Sequence, residues 1–195
     1  KINFSKKQRK ITPPLPFSTT QLLRAASGLG FTAGMAMSIA ENLYMRGFLS
    51  YPRTDNETYP KTLELKELLS TLSGEKAYSP FIETILSRPL HPTHGKETTD
   101  HPPVHPVKLP SKSELSDKEW KIFDLVARRF IATFMDDALT ENVSVDFDIA
   151  KEPFVSTGQT ILSPGWKAAY PFSQLQESIL PEMKEGEHVP IEKME

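Results

Sequence analysis

From residue 18 onward the apolar positions fall into a helical rhythm that glycine interrupts. Ser18-Thr19-Thr20-Gln21 has the spacing of a capping box, which predicts a helix through Ser27. Gly28 and Gly30 break it. Thr32 can cap a second helix running to about Arg46, with Met35, Ile39 and Leu43 on its apolar side, joined by Met37 or Tyr44. Gly47 stops that helix, and Phe48 to Tyr51 reads as a short strand bounded by Pro52. Further helices are expected over 62–73 and, with Ser79 as cap and Pro80 at the first helical position, over 80–88. Residues 89–113, rich in Pro, His and Lys, have little periodicity and read as a connection and domain boundary.

Beyond that connection Ser116 and Glu119 form a second capping box. The helix it starts reaches about Met135, with Trp120, Phe123, Val126, Phe130, Ile131 and Phe134 as a broad buried stripe. Val143, Val145, Phe147 and Ile149 alternate with polar residues, the pattern of a strand buried on one face. Residues 154–157 and 160–162, separated by Gly158-Gln159, suggest a hairpin, and 188–193 a last strand. Residues 1–16, with Pro13, Pro14 and Pro16, form an extended lead-in. No internal repeat is found. The pattern predicts an α+β protein, mostly helical at first and then a helix with a small antiparallel sheet.

Composition narrows the class. The 195 residues can bury a real core in one domain or two small ones. Hydrophobic content of 38% and charged content of 25% describe a soluble protein. No apolar run approaches membrane length and no secretory leader is visible, so a cytoplasmic location, or a nuclear one in a eukaryote, is expected, with no membrane partner. The absence of cysteine excludes disulfides and thiolate metal sites. A first residue of Lys rather than Met suggests a piece of a longer polypeptide. Charge is unevenly spread along the chain. Residues 1–56 carry eight Lys/Arg against two acids, a balance of +6, and the remainder carries 15 against 23, a balance of -8. A basic face beside residue 51 would suit a phosphate backbone; a basic tail ahead of a solvated acidic surface is the plainer alternative.

The candidate chemistry lies in Gly47-Phe48-Leu49-Ser50-Tyr51-Pro52-Arg53-Thr54-Asp55. A free tyrosine, with its pKa near 10, is a poor nucleophile unless a base takes its proton or cations stabilise the developing phenolate. Arg53 is such a cation, and its planar fork matches phosphate oxygens. On a strand it would project to the same side as Tyr51; the competing reading is a surface ion pair with Asp55. His91, His94, His101 and His105 do not have a well-known zinc-ligand spacing, so a metal site is disfavoured.

The tyrosine string resembles the active-site motif of type IA DNA topoisomerases, Gly-(aromatic or aliphatic)-aliphatic-(Ser/Thr)-Tyr-x-Arg-Thr, and Pro at x resembles the topoisomerase III branch. Asp100-His101-Pro102-Pro103-Val104-His105-Pro106 is similar to a second block of that family. Many bacterial members carry Glu-Ala in place of Pro102-Pro103 and Arg in place of His105, which again favours the topoisomerase III branch. Phe17-Ser18-Thr19 resembles the family's start of the tyrosine domain, although helix capping explains Ser18 and Thr19 without a ligand.

The resemblance implies an architecture: a mainly helical, winged-helix-like tyrosine domain (16–110) inserted in a β-rich arch, which the chain leaves over 1–15 and re-enters over 111–195. It implies catalytic roles for Tyr51 and Arg53, and DNA contacts by Thr54, Asp55, His101, Ser18 and Thr19. It implies a single-stranded DNA substrate, a 5′-phosphotyrosine intermediate, and relaxation or decatenation of DNA. The partners implied are a Toprim domain of the same polypeptide, which would hold the Mg²⁺ of the intact enzyme, and a helicase; no cofactor is expected in this chain. Asp136-Asp137 reads as a polar turn rather than a metal pair. The alternatives are a winged-helix DNA-binding module without catalysis, since helix, glycine turn, helix and strand is the order of such domains, and an arch that serves as a protein-docking platform.

Overall fold

Local caps open two of the five α-helices among the described residues, while Ser79, expected as a cap, falls inside its helix and donates to Glu83 instead. In the computed structural model, which describes residues 3–149, 151–173 and 177–181, Thr32 accepts a hydrogen bond from the Met35 N–H and opens the second helix, as its position predicts. Ser116 and Glu119 form the expected reciprocal box at the head of the long helix. The element order is β1 (Asn3–Ile11), α1 (Thr19–Ser27), α2 (Ala33–Met45), α3 (Leu65–Leu72), α4 (Ser79–Leu86), α5 (Asp117–Ala132), β2 (Ala138–Ile149) and β3 (Glu152–Ser163). Among the described residues no helix is long and apolar enough to cross a membrane.

The helices form one compact unit, residues 12–136 with 166–173. Its centre is α5, which packs on α1 and α2 while α3 packs on α4. The stripe expected on α5 is buried at Phe123, Val126, Phe130, Ile131 and Phe134, but Ile122, Leu125 and Ala127 are buried as well. The helix is therefore enclosed on most sides. The apolar face of α2 is rotated from the expected one: Ala36, Ala40 and Leu43 are buried while Met35 and Tyr44 are exposed. Small alanines let α2 lie close to α5, and hydrophobicity alone favoured the larger Met and Ile. The Pro- and His-rich connection, expected as a boundary, lies inside this unit. Its backbone is strapped to earlier segments through Val104 N–H to Phe17 C=O, Gly95 N–H to Glu57 C=O and Glu57 N–H to Lys96 C=O. The α5 segment likewise belongs to the helical unit, not to the sheet.

The second unit, residues 1–11, 137–165 and 174–195, holds an antiparallel sheet in the order β1-β2-β3. The lead-in thus becomes an edge strand, with Lys6 opposite Val143 and Ile11 opposite Ala138. The hairpin expected about Gly158-Gln159 is not formed there. β3 runs unbroken through both residues, and the turn falls beyond the Ile149–Glu152 pair, where Lys151 takes a positive φ of 71°. Gly158 serves a different need: a Cβ there would come within 2.7 Å of the Ser178 carbonyl, so glycine admits the 178–180 segment over the strand. The strand expected at 188–193 lies outside the described residues.

Candidate active site

The chain leaves α2 through Gly47, whose φ of +76° is a left-handed conformation that glycine adopts without strain. The Phe48 N–H then returns to the Leu43 carbonyl at 2.9 Å, and the Leu49 side chain is buried. No strand follows. Leu49 makes a single bridge to Pro106, and the expected ladder over 48–51 is replaced by a side-chain and backbone clasp. The Ser50 N–H donates to the His105 carbonyl at 2.9 Å, and the His105 N–H donates to Ser50 Oγ at 2.9 Å. A serine hydroxyl here stands in for a ladder carbonyl, because the prolines around His105 interrupt a regular ladder.

This clasp leaves Tyr51 half-buried between two rings. Its ring meets Tyr44 of α2 edge-on at 5.2 Å and His101 edge-on at 4.6 Å. His101 itself is exposed. Arg53 is exposed and held by Glu41 of α2, with Nε at 2.9 Å and Nη2 at 2.6 Å from Glu41 Oε1. That hydrogen bond and the field of Glu41 raise the Arg53 pKa above its ordinary value, and the nearby Tyr51 adds to it. The expected competitor, Asp55, instead faces Lys96 at 3.9 Å. Without a strand, the two-residue alternation that would have aligned Arg53 with Tyr51 does not apply. Their association comes from α2, which supplies both Tyr44 and Glu41 three residues apart on one face.

The remaining expected site residues divide into ties and surface groups. Thr54 is buried. Its hydroxyl donates to the His101 carbonyl at 2.7 Å and accepts the Asn56 N–H at 3.0 Å, so it fixes the loop that carries His101. Thr19 accepts the Thr54 N–H at 2.8 Å and donates to the Pro52 carbonyl at 2.8 Å, bracketing Arg53 on both sides. Ser18 is buried and its hydroxyl does not cap α1. It donates to Glu57 at 3.4 Å, and the Gln21 amide also donates to that carboxylate. An ionised acceptor outcompetes the neutral partners of a capping box, which is why the box does not form. His105 is buried, its Nδ1 at 2.6 Å from the Pro103 carbonyl, and burial pushes its imidazole below its ordinary pKa.

Beside His101, Asp100 accepts from the Thr98 hydroxyl, from the Asp55 N–H and from Thr54. These bonds, Thr98 first, hold its carboxyl below the usual carboxylate range, and the neighbouring His101 imidazole works the same way. Glu41, Tyr44, Glu57 and Asp100 were not among the site residues expected from the sequence, although Tyr44 was placed on the apolar side of the second helix and Asp100 opens the second resembling block. The spacing of Glu41 and Tyr44 on one helix face points nowhere until the segment after Gly47 is placed. Among the described residues no group of three or more His, Asp or Glu could hold a metal ion. Glu41, Asp55 and Asp100 are each engaged as described.

A half-exposed phenol beside an imidazole and a guanidinium can attack a phosphodiester and stabilise the charge on its oxygens. The family model described as DNA topoisomerase matches residues 2–195. DNA topoisomerase 1 of Archaeoglobus fulgidus is 39% identical over 94% of this chain and 28% of its own length. DNA topoisomerase 1 of Thermoplasma acidophilum is 40% identical over 95% and 24%. Human DNA topoisomerase 3-beta-1 is 33% identical over 96% and 22%. The chain therefore spans about a quarter of the length of these relatives. Full-length topoisomerase I from Thermotoga maritima has a similar fold, with a TM-score of 0.67 at 22% identity over 93% of this chain and 31% of that one. On the match that runs from residue 2 to residue 195, the chain belongs to the DNA topoisomerase family, in its type IA branch.

Proposed function

We propose that this chain carries the nucleophile half of an ATP-independent topoisomerase that cuts and rejoins single-stranded DNA. The placement of Tyr51 against His101, with Arg53 beside it, carries this reading. The phenolic oxygen attacks the phosphorus as the bond to the 3′ oxygen breaks, leaving a 5′-phosphotyrosine ester. The phenolic proton is lost, and the departing 3′ oxygen gains a proton to become a hydroxyl. Rejoining reverses both transfers, and because one ester replaces another no energy source is needed. Arg53 leaves Glu41 for the phosphate: an exposed, salt-screened ion pair is weak enough to be displaced. His101 supports the phosphate or the leaving group, while Thr19 and Thr54 hold both loops in register. Relaxation or decatenation would be the outcome in the intact polypeptide, with a Toprim domain facing Tyr51 and supplying the metal-binding half.

The chain alone should give no covalent adduct with a single-stranded oligonucleotide. Joined to an amino-terminal Toprim half, it should give a detergent-stable adduct that Tyr51→Phe abolishes and Arg53→Ala lowers by about 100-fold. An adduct that persists in Tyr51→Phe overturns the assignment. The sequence of helix, glycine turn and helix ahead of Tyr51 favours one other reading, a winged-helix-like binding module without catalysis. Preference for duplex, with single-strand affinity unchanged by Arg53→Ala, would support it.

A further inference from the structure

Within the helical unit a cavity of about 400 Å³ is lined by Gln21 and Arg24 of α1, Arg129 of α5, and the rings of Trp166, Tyr170 and Phe172. Its volume falls in the range of small-molecule sites. It shares no lining residue with the Tyr51 site. Arg129 is its unusual member. This half-buried guanidinium donates only to neutral acceptors: Nε to the Leu15 carbonyl at 2.7 Å, Nη2 to Gln21 Oε1 at 2.7 Å, and a further bond to the Tyr170 hydroxyl. Among the described residues it makes no ion pair. The field of Glu57 reaches it, but that carboxylate is taken by Gln21, Ser18 and the Lys96 N–H.

A partly desolvated cation satisfied by dipoles leaves positive potential in the cavity, and no carboxylate among the lining residues cancels it. Arg24 is exposed at the rim, and Lys167 reaches the lining Ser173 hydroxyl at 3.1 Å. Phe172 is half-buried on the cavity wall with its ring edge-on to Tyr170 at 5.2 Å, while Trp166 and Tyr170 are buried. Cations beside an accessible aromatic face are the elements that hold a nucleotide, the base by stacking and the phosphate by charge.

We propose that this cavity is a second nucleic-acid subsite that takes one nucleotide of a single strand, its base against Phe172 and its phosphate toward Arg24 and Arg129. The choice of a nucleotide over another aromatic anion rests on the DNA-cleaving reading above. The test is equilibrium binding of the whole 195-residue chain to dTMP, to a short oligothymidylate and to inorganic phosphate. Phe172→Leu, which keeps apolar volume but removes the π face, and Arg24→Ala should each weaken dTMP and oligothymidylate binding at least about five-fold. Lys118→Ala, at an exposed residue that does not line the cavity, should leave dTMP binding unchanged.

Binding of dTMP with no gain for the oligothymidylate would assign a free nucleotide and overturn the strand subsite. Inorganic phosphate binding as tightly as dTMP, or no effect of either variant, would overturn the site altogether. Tyr51→Phe does not touch these residues, so failure of the covalent-adduct experiment and failure of this one are separable.

Discussion

His105 is a buried imidazole on which the Tyr51 segment leans, since its backbone clasps Ser50 on both sides. Its Nδ1 bond to the Pro103 carbonyl favours the charged form, but burial outweighs it and the folded pKa is depressed. The unfolded chain takes up a proton near pH 6.5 that the native state refuses. The stability owed to the neutral ring is therefore complete above that pH and is lost as pH falls from about 6.5 toward the native value. Melting temperature should drop between pH 7 and pH 5, and His105→Asn should flatten that slope whatever it costs at pH 7. An unchanged slope would refute the assignment. Asp100, Glu114 and Glu119, all with depressed pKa values, add a loss of the same sign only at lower pH, as their carboxylates protonate. The motif singled out Tyr51, Arg53 and His101, and the structure places the three near one another. The partner of Arg53 was not legible, because Glu41 lies twelve residues back, in the last turns of α2, and Asp55 looked nearer along the chain.

Among the elements, the exit from α2 matters most to the site. A Cβ added at Gly47 would meet nothing within 4 Å, so Gly47→Ala should be penalised by its backbone conformation alone. Left-handed backbone at a non-glycine residue costs about 1–2 kcal/mol, which chemical denaturation would detect directly. Denaturation at the parental midpoint would show that the turn relaxes elsewhere. Helix starts at Thr32 and Ser116 were readable because a cap involves neighbours three residues apart. The failed box at Ser18 shows the limit of that logic: Glu57, distant in sequence, offered a stronger acceptor. Gly158 misled for a related reason. Its absent side chain makes room for another segment rather than a turn, and sequence alone does not separate those two uses.

Across the whole molecule, the basic residues of the first third of the sequence divide between the two units. Lys6, Lys7, Arg9 and Lys10 lie on β1 in the sheet unit, whereas Arg24, Arg46 and Arg53 belong to the helical unit. Lys6 faces Glu141, Arg46 faces Glu119 and Arg53 faces Glu41, so acids from other parts of the chain offset part of the excess. The two units also differ in depth. Most of the buried apolar residues lie in the helical unit, while Ala138 and Val145 are the buried apolar residues described on the strands. Hydrogen exchange should therefore be faster for amides of β1–β3 than for those of α5, and equal protection would mean that the sheet is better covered than its described residues indicate. By itself the sequence determined the helices with local caps, the α+β class, and the Tyr51 motif, because these depend on interactions within a few residues. Only the tertiary structure decided which face of α2 is buried, where the β2–β3 turn falls, that Glu41 rather than Asp55 holds Arg53, and that Arg129 lines a cavity without an acid. Each of those outcomes is a competition between partners distant in the chain, and it is resolved only when packing sets their distances.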